Sequence, residues 1–354
     1  MNSKWHLASV LALLVVALVG CAAGRAPSAR RMPSASSRPI TVRVGYFPNI
    51  THSQALVGLA RGDFQKALGP NVTLDAKAFN AGPSVIEALF ANQIDLSYIG
   101  PNPAINGYIK SNGEALRIVA GATSGGAAFI VRPDANIRRP EDLAGKKLAS
   151  PQLGNTQDVA LRAYLAEHGH KVVEKGGAVQ VIPTDNPQIL DLFRQGQIDG
   201  AWVPEPWAAR LIVEGGGALF LDERDLWPAT RGEFVTAHII VSTRFLKEHP
   251  DLVKAFLRAH VEVTQWEQAY PDQAKPVVND EIKRLTGKAL PSQVIDGAWS
   301  RLRITYDPIS ASLVKSAQSA YEAGFIKDQP DLSNIYDLRL LNEVLHEKGL
   351  SAVK

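Results

Sequence analysis

The sequence predicts an α/β protein of two similar lobes, each with a mixed, mostly parallel sheet flanked by helices. The first observation is a repeat. Residues 83–99, PSVIEALFANQIDLSYI, align without a gap with residues 187–203, PQILDLFRQGQIDGAWV, 104 positions later. The second observation is that short β-rich runs alternate with helical patterns, which is typical of βαβ units. Two copies favour paired lobes over a solenoid, which needs at least three repeats.

The amino-terminal segment is predicted to be an export signal. Lys4 precedes an apolar run over residues 7–19, which is too short to cross a bilayer comfortably and fits a signal peptide. The run ends in Gly20 and Cys21, a pattern that resembles the bacterial lipoprotein cleavage box, and Cys21 is the only cysteine of the chain. We therefore predict a lipoprotein signal peptide over residues 1–20 and lipidation of Cys21. An ordinary signal peptide or a single anchor helix is the alternative.

Residues 21–39 are predicted to be a lipidated, flexible tether. After Cys21 the segment is rich in Ala, Ser, Pro and Arg and has no acidic residue, so it cannot bury enough apolar surface to fold. Its four arginines would either rest on anionic lipid headgroups or form a solvated linker.

Composition and motifs exclude several classes of function. Lys and Arg number 38 against 35 Asp and Glu, and no basic stripe with interleaved aromatics occurs, which argues against a nucleic-acid partner. GxSxG, HExxH, P-loop and Rossmann patterns are all absent, so we predict neither catalysis nor a cofactor. His168 and His170 lack an accompanying carboxylate pattern, so no metal site is predicted.

The elements follow in order from hydrophobic periodicity and turn residues. In the first lobe we predict strands at 41–46, 72–79, 94–99 and 116–120 and helices at 53–68, 84–92 and 103–111. A strand at 128–132 follows the glycine-rich residues 121–126. In the second lobe we predict helices at 142–147, 156–168, 187–195 and 206–214 and strands at 147–150, 179–183, 198–203 and 218–222. After a strand at 237–242, helices are predicted at 250–270, 272–285, 291–301, 309–323 and 338–348.

The chain is predicted to cross between the lobes twice, near residues 123–128 and 235–240. Lobe I then comprises residues 40–123 and 240–354, and lobe II residues 124–239. Two hinge strands of this kind suit bending around a ligand.

Polar connections after the first strand of each lobe predict the ligand site. At the 104-residue offset, residues 49–53 (NITHS) face residues 153–157 (LGNTQ). Ligands of open α/β sheets bind beyond the carboxyl ends of the strands, where helix N-termini attract anions. The candidates here are Asn49, Thr51, His52, Asn155 and Thr156. The alternatives are helix caps for the threonines and Asn155, and an ordinary packed histidine for His52.

Later connections and the hinge add further candidates. Glu205 either makes a favourable interaction with a helix N-terminus or binds an amine of the ligand. Trp207 either forms a wall of the pocket or belongs to the core. The full additional set is Ser84, Asn102, Thr123, Glu205, Trp207 and His238.

Four segments resemble the periplasmic substrate-binding proteins of ABC importers for nitrate, taurine and aliphatic sulfonates, with the sulfonate-type branch most similar. They are GYFPNITHSQALVGLARGDF, SPQLGNTQDVALRAYL, DLFRQGQIDGAWVPEPWAARL and HIIVSTRFLKEHPDLVKAFLRAHVEVTQW. The resemblance implies the type II fold of periplasmic binding proteins, with a ligand held between the lobes and no chemical transformation. It also adds Gln152 to the residues at ligand-contacting positions. No arginine stands at the predicted helix starts, so recognition would rest on neutral donors.

The function predicted from the sequence is that of an exported, lipid-anchored receptor. It would bind a small oxyanion, an aliphatic sulfonate such as taurine or an alkanesulfonate, and deliver it to an ABC permease and its ATPase. We expect a monomer that contacts the membrane only through its anchor. The alternatives are a receptor for nitrate, bicarbonate or another small anion, an enzyme on the same fold that makes pyrimidine or menaquinone precursors, and a sensor lipoprotein.

Overall fold

Two β-sheets and their flanking helices form the protein in a computed structural model, which describes residues 40–354. The predicted signal peptide, the tether and Cys21 lie outside the described residues. Within residues 40–354, no helix has the length and apolar character needed to cross a membrane.

The strands are listed here in chain order. They are β1 (Ile40–Tyr46), β2 (Val72–Ala78), β3 (Leu96–Ile99), β4 (Leu116–Gly125), β5 (Ala127–Val131), β6 (Lys147–Pro151), β7 (Gln180–Thr184), β8 (Gly200–Pro204), β9 (Ala218–Asp222), β10 (Val235–Ser242) and β11 (Leu302–Ile304). The first sheet has the order β11-β4-β10-β3-β1-β2, and the second has the order β7-β6-β8-β5-β9. In the first sheet β2, β1 and β3 are adjacent and parallel, and β10 pairs with β3 in the antiparallel direction. In the second sheet β7, β6 and β8 are adjacent and parallel, and β5 pairs with β8 in the antiparallel direction.

The α-helices connect and cover these strands. They are α1 (Ser53–Ala60), α2 (Asp63–Leu68), α3 (Gly82–Phe90), α4 (Pro101–Lys110), α5 (Thr156–Glu167), α6 (Asn186–Arg194), α7 (Trp207–Val213), α8 (Thr243–Glu248), α9 (Pro250–Ala269), α10 (Pro271–Thr286), α11 (Ser292–Ser300), α12 (Ser310–Glu322) and α13 (Arg339–Glu347).

The sequence repeat appears in the structure with the same spacing. Helix α3 begins at Gly82, and α6 begins at Asn186, 104 residues later. Strands β3 and β8 begin at Leu96 and Gly200, again 104 residues apart. The parallel strands also occupy equivalent places, β3-β1-β2 in one sheet and β8-β6-β7 in the other. The predicted fold class, two mixed sheets flanked by helices, is confirmed.

Both faces of each sheet are buried, which explains the continuous apolar runs of the strands. In β10, Ile239 and Val241 pack into one hydrophobic cluster and Ile240 packs into another on the opposite face. In β5, Phe129 and Ile130 divide in the same way between two clusters of the second sheet. The alternation follows from the two-residue period of a strand.

Several predicted elements differ from the structure. The helix expected over 53–68 is two helices, α1 and α2, because Gly62 between them has a left-handed backbone with φ of 73°. The helix expected over 142–147 is a 3-10 turn, Pro140–Leu143. Strand β4 continues through the glycine-rich residues to Gly125, and both α8 and β11 were missed.

The first crossing between the sheets takes a single residue. Strand β4 ends at Gly125 in the first sheet, and β5 begins at Ala127 in the second. Gly125 and Gly126 have φ of 72° and 77°, a conformation that only glycine adopts without steric cost. The N–H of Gly126 donates to the carbonyl of Arg301 over 2.9 Å.

The division of the chain into lobes remains a proposal. We set the crossings at Gly126 and between Asp222 and Val235, because the whole of β10 pairs within the first sheet. This differs from the expected lobe II of residues 124–239, which would assign most of β10 to the second lobe.

Candidate ligand-binding cleft

A small cavity, called the inner cavity here, lies between the loops of the two sheets. It measures about 20 Å³. The first sheet and its connections contribute Phe47, Asn49, Thr51, His52, Asn80, Gly100 and Thr236, and the second sheet and its connections contribute Asn155, Thr156, Gln157, Asn186 and Pro204. The loops around residues 50 and 155 therefore face one concavity, as the repeat predicted.

Four helices begin at this cavity. His52 immediately precedes α1, Gly100 precedes α4, Thr156 opens α5 and Asn186 opens α6. The first N–H groups of a helix have no partner within it, and they carry the positive end of the helix dipole. The inner cavity is therefore suited to an anion, although none of its lining residues is lysine or arginine.

Two buried polar atoms of the inner cavity have no partner in the described structure. Thr156 is 6% exposed and Asn186 is 4% exposed, yet Thr156 Oγ and Asn186 Oδ1 make no hydrogen bond. Leaving a buried polar group unpaired costs about 1–3 kcal/mol, so these atoms are candidates for contact with a bound molecule. The side chain of Asn155, at the N-cap of α5, makes no capping hydrogen bond either. Capping therefore does not explain these residues.

His52 lies in the cavity wall as a neutral donor. Its Nδ1 accepts a hydrogen bond from the N–H of Phe47 over 3.2 Å, and its ring stacks on that of Phe47 at 4.4 Å. Burial lowers the pKa of His52 to about 3. Since Nδ1 accepts, the neutral ring carries its proton on Nε2.

Polar contacts cross the cleft beside the inner cavity. Trp207 Nε1 donates to Asn49 Oδ1 over 3.0 Å, which joins α7 to the loop after β1. Asp185 accepts from Asn80 Nδ2 at 3.3 Å and from Gln152 Nε2 at 3.0 Å, so its carboxylate joins the loops of the two sheets. These contacts hold the two walls of the cavity together.

Glu205 is fully buried but does not line the inner cavity. Its Oε1 accepts from Arg301 Nη1 over 3.0 Å, and its Oε2 accepts from the N–H of Ala209 over 3.0 Å. Burial raises the pKa of Glu205 to about 7, and the hydrogen bond from Ala209 and the charge of Arg301 oppose that rise. The carboxylate therefore serves an ion pair between the two halves of the molecule.

Other candidates from the sequence also lie outside the inner cavity, and their contact with a ligand remains a prediction. They are Ser84, Asn102, Thr123, Gln152 and His238. Asn102 Nδ2 donates to the carbonyl of Ser316, and Thr123 Oγ donates to the carbonyl of Thr51 over 2.7 Å. Both ring nitrogens of His238 are buried without a partner in the described structure.

The structure adds polar residues that the sequence reasoning missed. They are Asn80, Gln157, Asn186 and Thr236. The repeat carried a signal for Asn186, since it stands 104 residues after Gly82, the first residue of α3. Thr236 comes from β10, which enters the first sheet from far along the chain, and no local pattern predicts it.

A larger cavity, called the mouth pocket here, adjoins the inner cavity. It measures about 370 Å³ and shares Asn49, Asn80 and Asn186 with the inner cavity. Its other lining residues are Pro48, Ala78, Phe79, Pro187, Pro206, Trp207, Arg210, Ile282, Leu285, Thr286, Lys288 and Leu290.

Within residues 40–354, no group of three or more His, Cys, Asp or Glu side chains is arranged to hold a metal ion.

The sequence profile of the NMT1-like family matches residues 35–279, well over half of the chain. The chain belongs to this family. The chain is similar in sequence to the taurine-binding periplasmic protein of Escherichia coli K12 and to a putative aliphatic sulfonates-binding protein of Bacillus subtilis 168. The first is 25% identical over 85% of this chain and 91% of its own length, and the second is 22% identical over 96% of each.

A solved structure has the same fold as this NMT1-like protein. The alkanesulfonate-binding protein SsuA from Xanthomonas axonopodis pv. citri, bound to MOPS, superposes with a TM-score of 0.70 at 18% identity. The match covers 85% of this chain and 99% of that one. The resemblance found in the sequence is confirmed, and the relatives are named for binding rather than for catalysis.

Proposed function

We propose that this protein is an extracytoplasmic receptor that binds a small organic oxyanion between its lobes and delivers it to an ABC permease. An aliphatic sulfonate is the ligand we favour, and we propose that the receptor acts as a monomer. The observation that carries the proposal is the inner cavity, where four helices begin and the buried Thr156 Oγ has no partner in the described structure.

The chemistry of the inner cavity suits a strong-acid oxyanion. Thr51, Thr156 and Gln157 offer hydroxyl and amide donors, and His52 adds a neutral N–H. A sulfonate has three acceptor oxygens and stays ionised at any physiological pH, so it can use donors from several directions. The names of the taurine-binding and sulfonates-binding relatives support the same ligand class.

Ligand binding is coupled to the approach of the lobes in this proposal. The inner cavity draws residues from both sheets, so an anion held there contacts both and favours the arrangement in which they are close. The shift toward that arrangement is limited to the ligand's difference in affinity for the two states. The contacts of Trp207 with Asn49 and of Asp185 with Asn80 would form in the same step.

Calorimetry on residues 40–354 tests the proposal. The probes are ethanesulfonate, taurine, nitrate and bicarbonate, in a Tris chloride buffer because common buffers such as MOPS are themselves sulfonates. We expect micromolar binding of at least one sulfonate, which corresponds to about 8 kcal/mol. If nitrate or bicarbonate binds and the sulfonates do not, the ligand class is wrong. If no oxyanion gives heat, the receptor proposal fails.

Replacing Thr156 by valine is expected to weaken sulfonate binding by about tenfold or more, because a hydrogen bond to a charged group contributes about 1.5–3 kcal/mol. Valine keeps the shape and removes the hydroxyl. The free energy of unfolding should be unchanged or slightly higher, since a buried unpaired hydroxyl is removed. Thr41→Val, the same change at an exposed position of β1, is the control. Equal affinity in both variants would contradict the role of Thr156.

We further propose that the mature protein is held to the membrane by lipid on Cys21, a residue outside the described part of the chain. The full-length Cys21→Ser variant should lose its lipid and move from the detergent-soluble membrane fraction to the soluble fraction, or remain uncleaved. Metabolic labelling with an alkyne fatty acid and membrane fractionation measure the two effects. A Ser28→Ala variant in the tether is the control. Lipid labelling that survives in Cys21→Ser would rule out this anchor.

A further inference from the structure

The mouth pocket is placed to receive the remainder of any ligand whose head group occupies the inner cavity. The two cavities share Asn49, Asn80 and Asn186, so they adjoin. At about 20 Å³ the inner cavity leaves no room for anything beyond a head group, whereas the mouth pocket measures about 370 Å³. Atoms beyond the head group would therefore contact the walls of the mouth pocket.

Those walls offer apolar surface from both sides of the cleft. Phe79 and Leu285 are half-buried there, and Trp207 contributes from the second sheet's side. Ile282 and Leu290, at the end of α10 and beyond it, continue the same surface. Half-buried apolar side chains gain contact and lose water when a hydrocarbon tail covers them.

The charged side chains that line the mouth pocket are both cations. Arg210 and Lys288 line it, and no aspartate or glutamate does in the described structure. The nearby carboxylate of Glu214 is already bound by Arg210, through Nε at 2.7 Å and Nη2 at 3.1 Å, and lies 3.7 Å from Lys288 Nζ. The Arg210 guanidinium lies 4.6 Å from the Trp207 ring centroid. Asp185, the other close carboxylate, accepts from the amides of Asn80 and Gln152.

We infer that the ligand is an organic anion with an uncharged, apolar tail, and that the tail lies in the mouth pocket. An ammonium group on the tail is disfavoured, because the only charged side chains among the residues that line the mouth pocket are cations, and the neighbouring carboxylates of Glu214 and Asp185 already accept hydrogen bonds. The inference rests on the proposed function, since it assumes an anionic head in the inner cavity. It separates alkanesulfonates of several carbons from taurine within the proposed ligand class.

A series of sulfonates in calorimetry tests the inference on the unmodified protein. We expect affinity to rise about threefold to fourfold per methylene from ethanesulfonate to hexanesulfonate, because burying one CH₂ group contributes about 0.8 kcal/mol. Taurine and 1-propanesulfonate have the same number of heavy atoms and differ in the ammonium. Taurine should bind at least about tenfold more weakly.

Two leucine variants locate the tail. Leu285→Gln makes a wall of the mouth pocket polar without adding charge, and Leu219→Gln makes the same change at an exposed residue of β9 outside the pocket. We expect Leu285→Gln to lower the affinity for hexanesulfonate at least fivefold while ethanesulfonate changes less than twofold. Leu219→Gln should change neither. Should Leu285→Gln not fold, the sulfonate series on the unmodified protein still decides the question.

The outcomes separate the inference from the proposed function. If ethanesulfonate binds but hexanesulfonate binds no better, or taurine matches 1-propanesulfonate, the tail assignment is overturned and the receptor proposal stands. If no sulfonate binds at all, both are overturned. If Leu285→Gln and Leu219→Gln lower the affinity for hexanesulfonate equally, the location of the tail in the mouth pocket is also overturned.

Discussion

Replacing Arg301 by methionine is expected to lower the free energy of unfolding by about 3–5 kcal/mol at pH 8, the cost of removing one partner of a buried ion pair. Glu205, its partner, is 0% exposed and has a pKa of about 7 even with the arginine present. Without the cation, its carboxylate must either stay charged in the interior or take up a proton. Chemical denaturation followed by tryptophan fluorescence measures the loss.

The loss in the free energy of unfolding caused by Arg301→Met should be smaller at pH 6 than at pH 8. The pKa of Glu205 is raised by folding from its ordinary 4.5, so the folded state holds the extra proton and stability falls as pH rises through that window. Removing Arg301 raises this pKa further and extends the fall to higher pH. The double variant Glu205→Gln/Arg301→Met should recover part of the stability and show little of this pH dependence. A loss that is equal at pH 6 and pH 8 would contradict the account.

Replacing Gly100 by alanine is expected to weaken ligand binding by roughly 5-fold to 150-fold, because overpacking costs about 1–3 kcal/mol. A Cβ at this position would lie 2.3 Å from Thr156 Oγ, across the inner cavity. Gly100 has ordinary backbone angles, φ −72° and ψ 159°, so the effect would come from the collision and not from the backbone. Calorimetry with a sulfonate measures the affinity, and small-angle X-ray scattering measures whether the lobes separate.

Two variants control for other effects of the added methyl group. Gly297→Ala adds a Cβ whose nearest neighbour is 3.7 Å away and should behave as the unmodified protein does. Gly100→Ala/Thr156→Ala removes the colliding oxygen and should restore the compact scattering profile, although not the affinity. If Gly100→Ala alone keeps both its compactness and its affinity, then Gly100 is not a point of close approach between the lobes.

The sequence was sufficient to predict the two lobes, because the repeat preserves both the start of a helix and the strand after it. It also predicted that Asn49, Thr51, His52, Asn155 and Thr156 would face one cavity, and the structure brings all five together. These residues lie in the chain shortly after the ends of β1 and β6, so the order of strands and helices along the sequence was enough to place them at the strand ends.

The remainder of the site depends on tertiary contacts that no local pattern encodes. Glu205 was a reasonable candidate at the start of a helix, but Arg301, almost a hundred residues later, engages its carboxylate. Trp207 lines the mouth pocket rather than the inner cavity, and its indole N–H is directed to Asn49 of the other lobe. Asn102 bonds to a carbonyl of α12, which packs there only once the chain has folded.

The insertion of β10 between β3 and β4 also bears on how the polypeptide assembles. Every strand of the second sheet lies within residues 127–222, so that sheet can form as soon as this stretch is available. In the first sheet, β4 is not joined to β1–β3 until β10, residues 235–242, has been synthesised. The half that is synthesised first is thus completed last. A fragment ending at residue 222 would lack both β10 and β11, so one edge of β3 and both edges of β4 would be unpaired and exposed to aggregation.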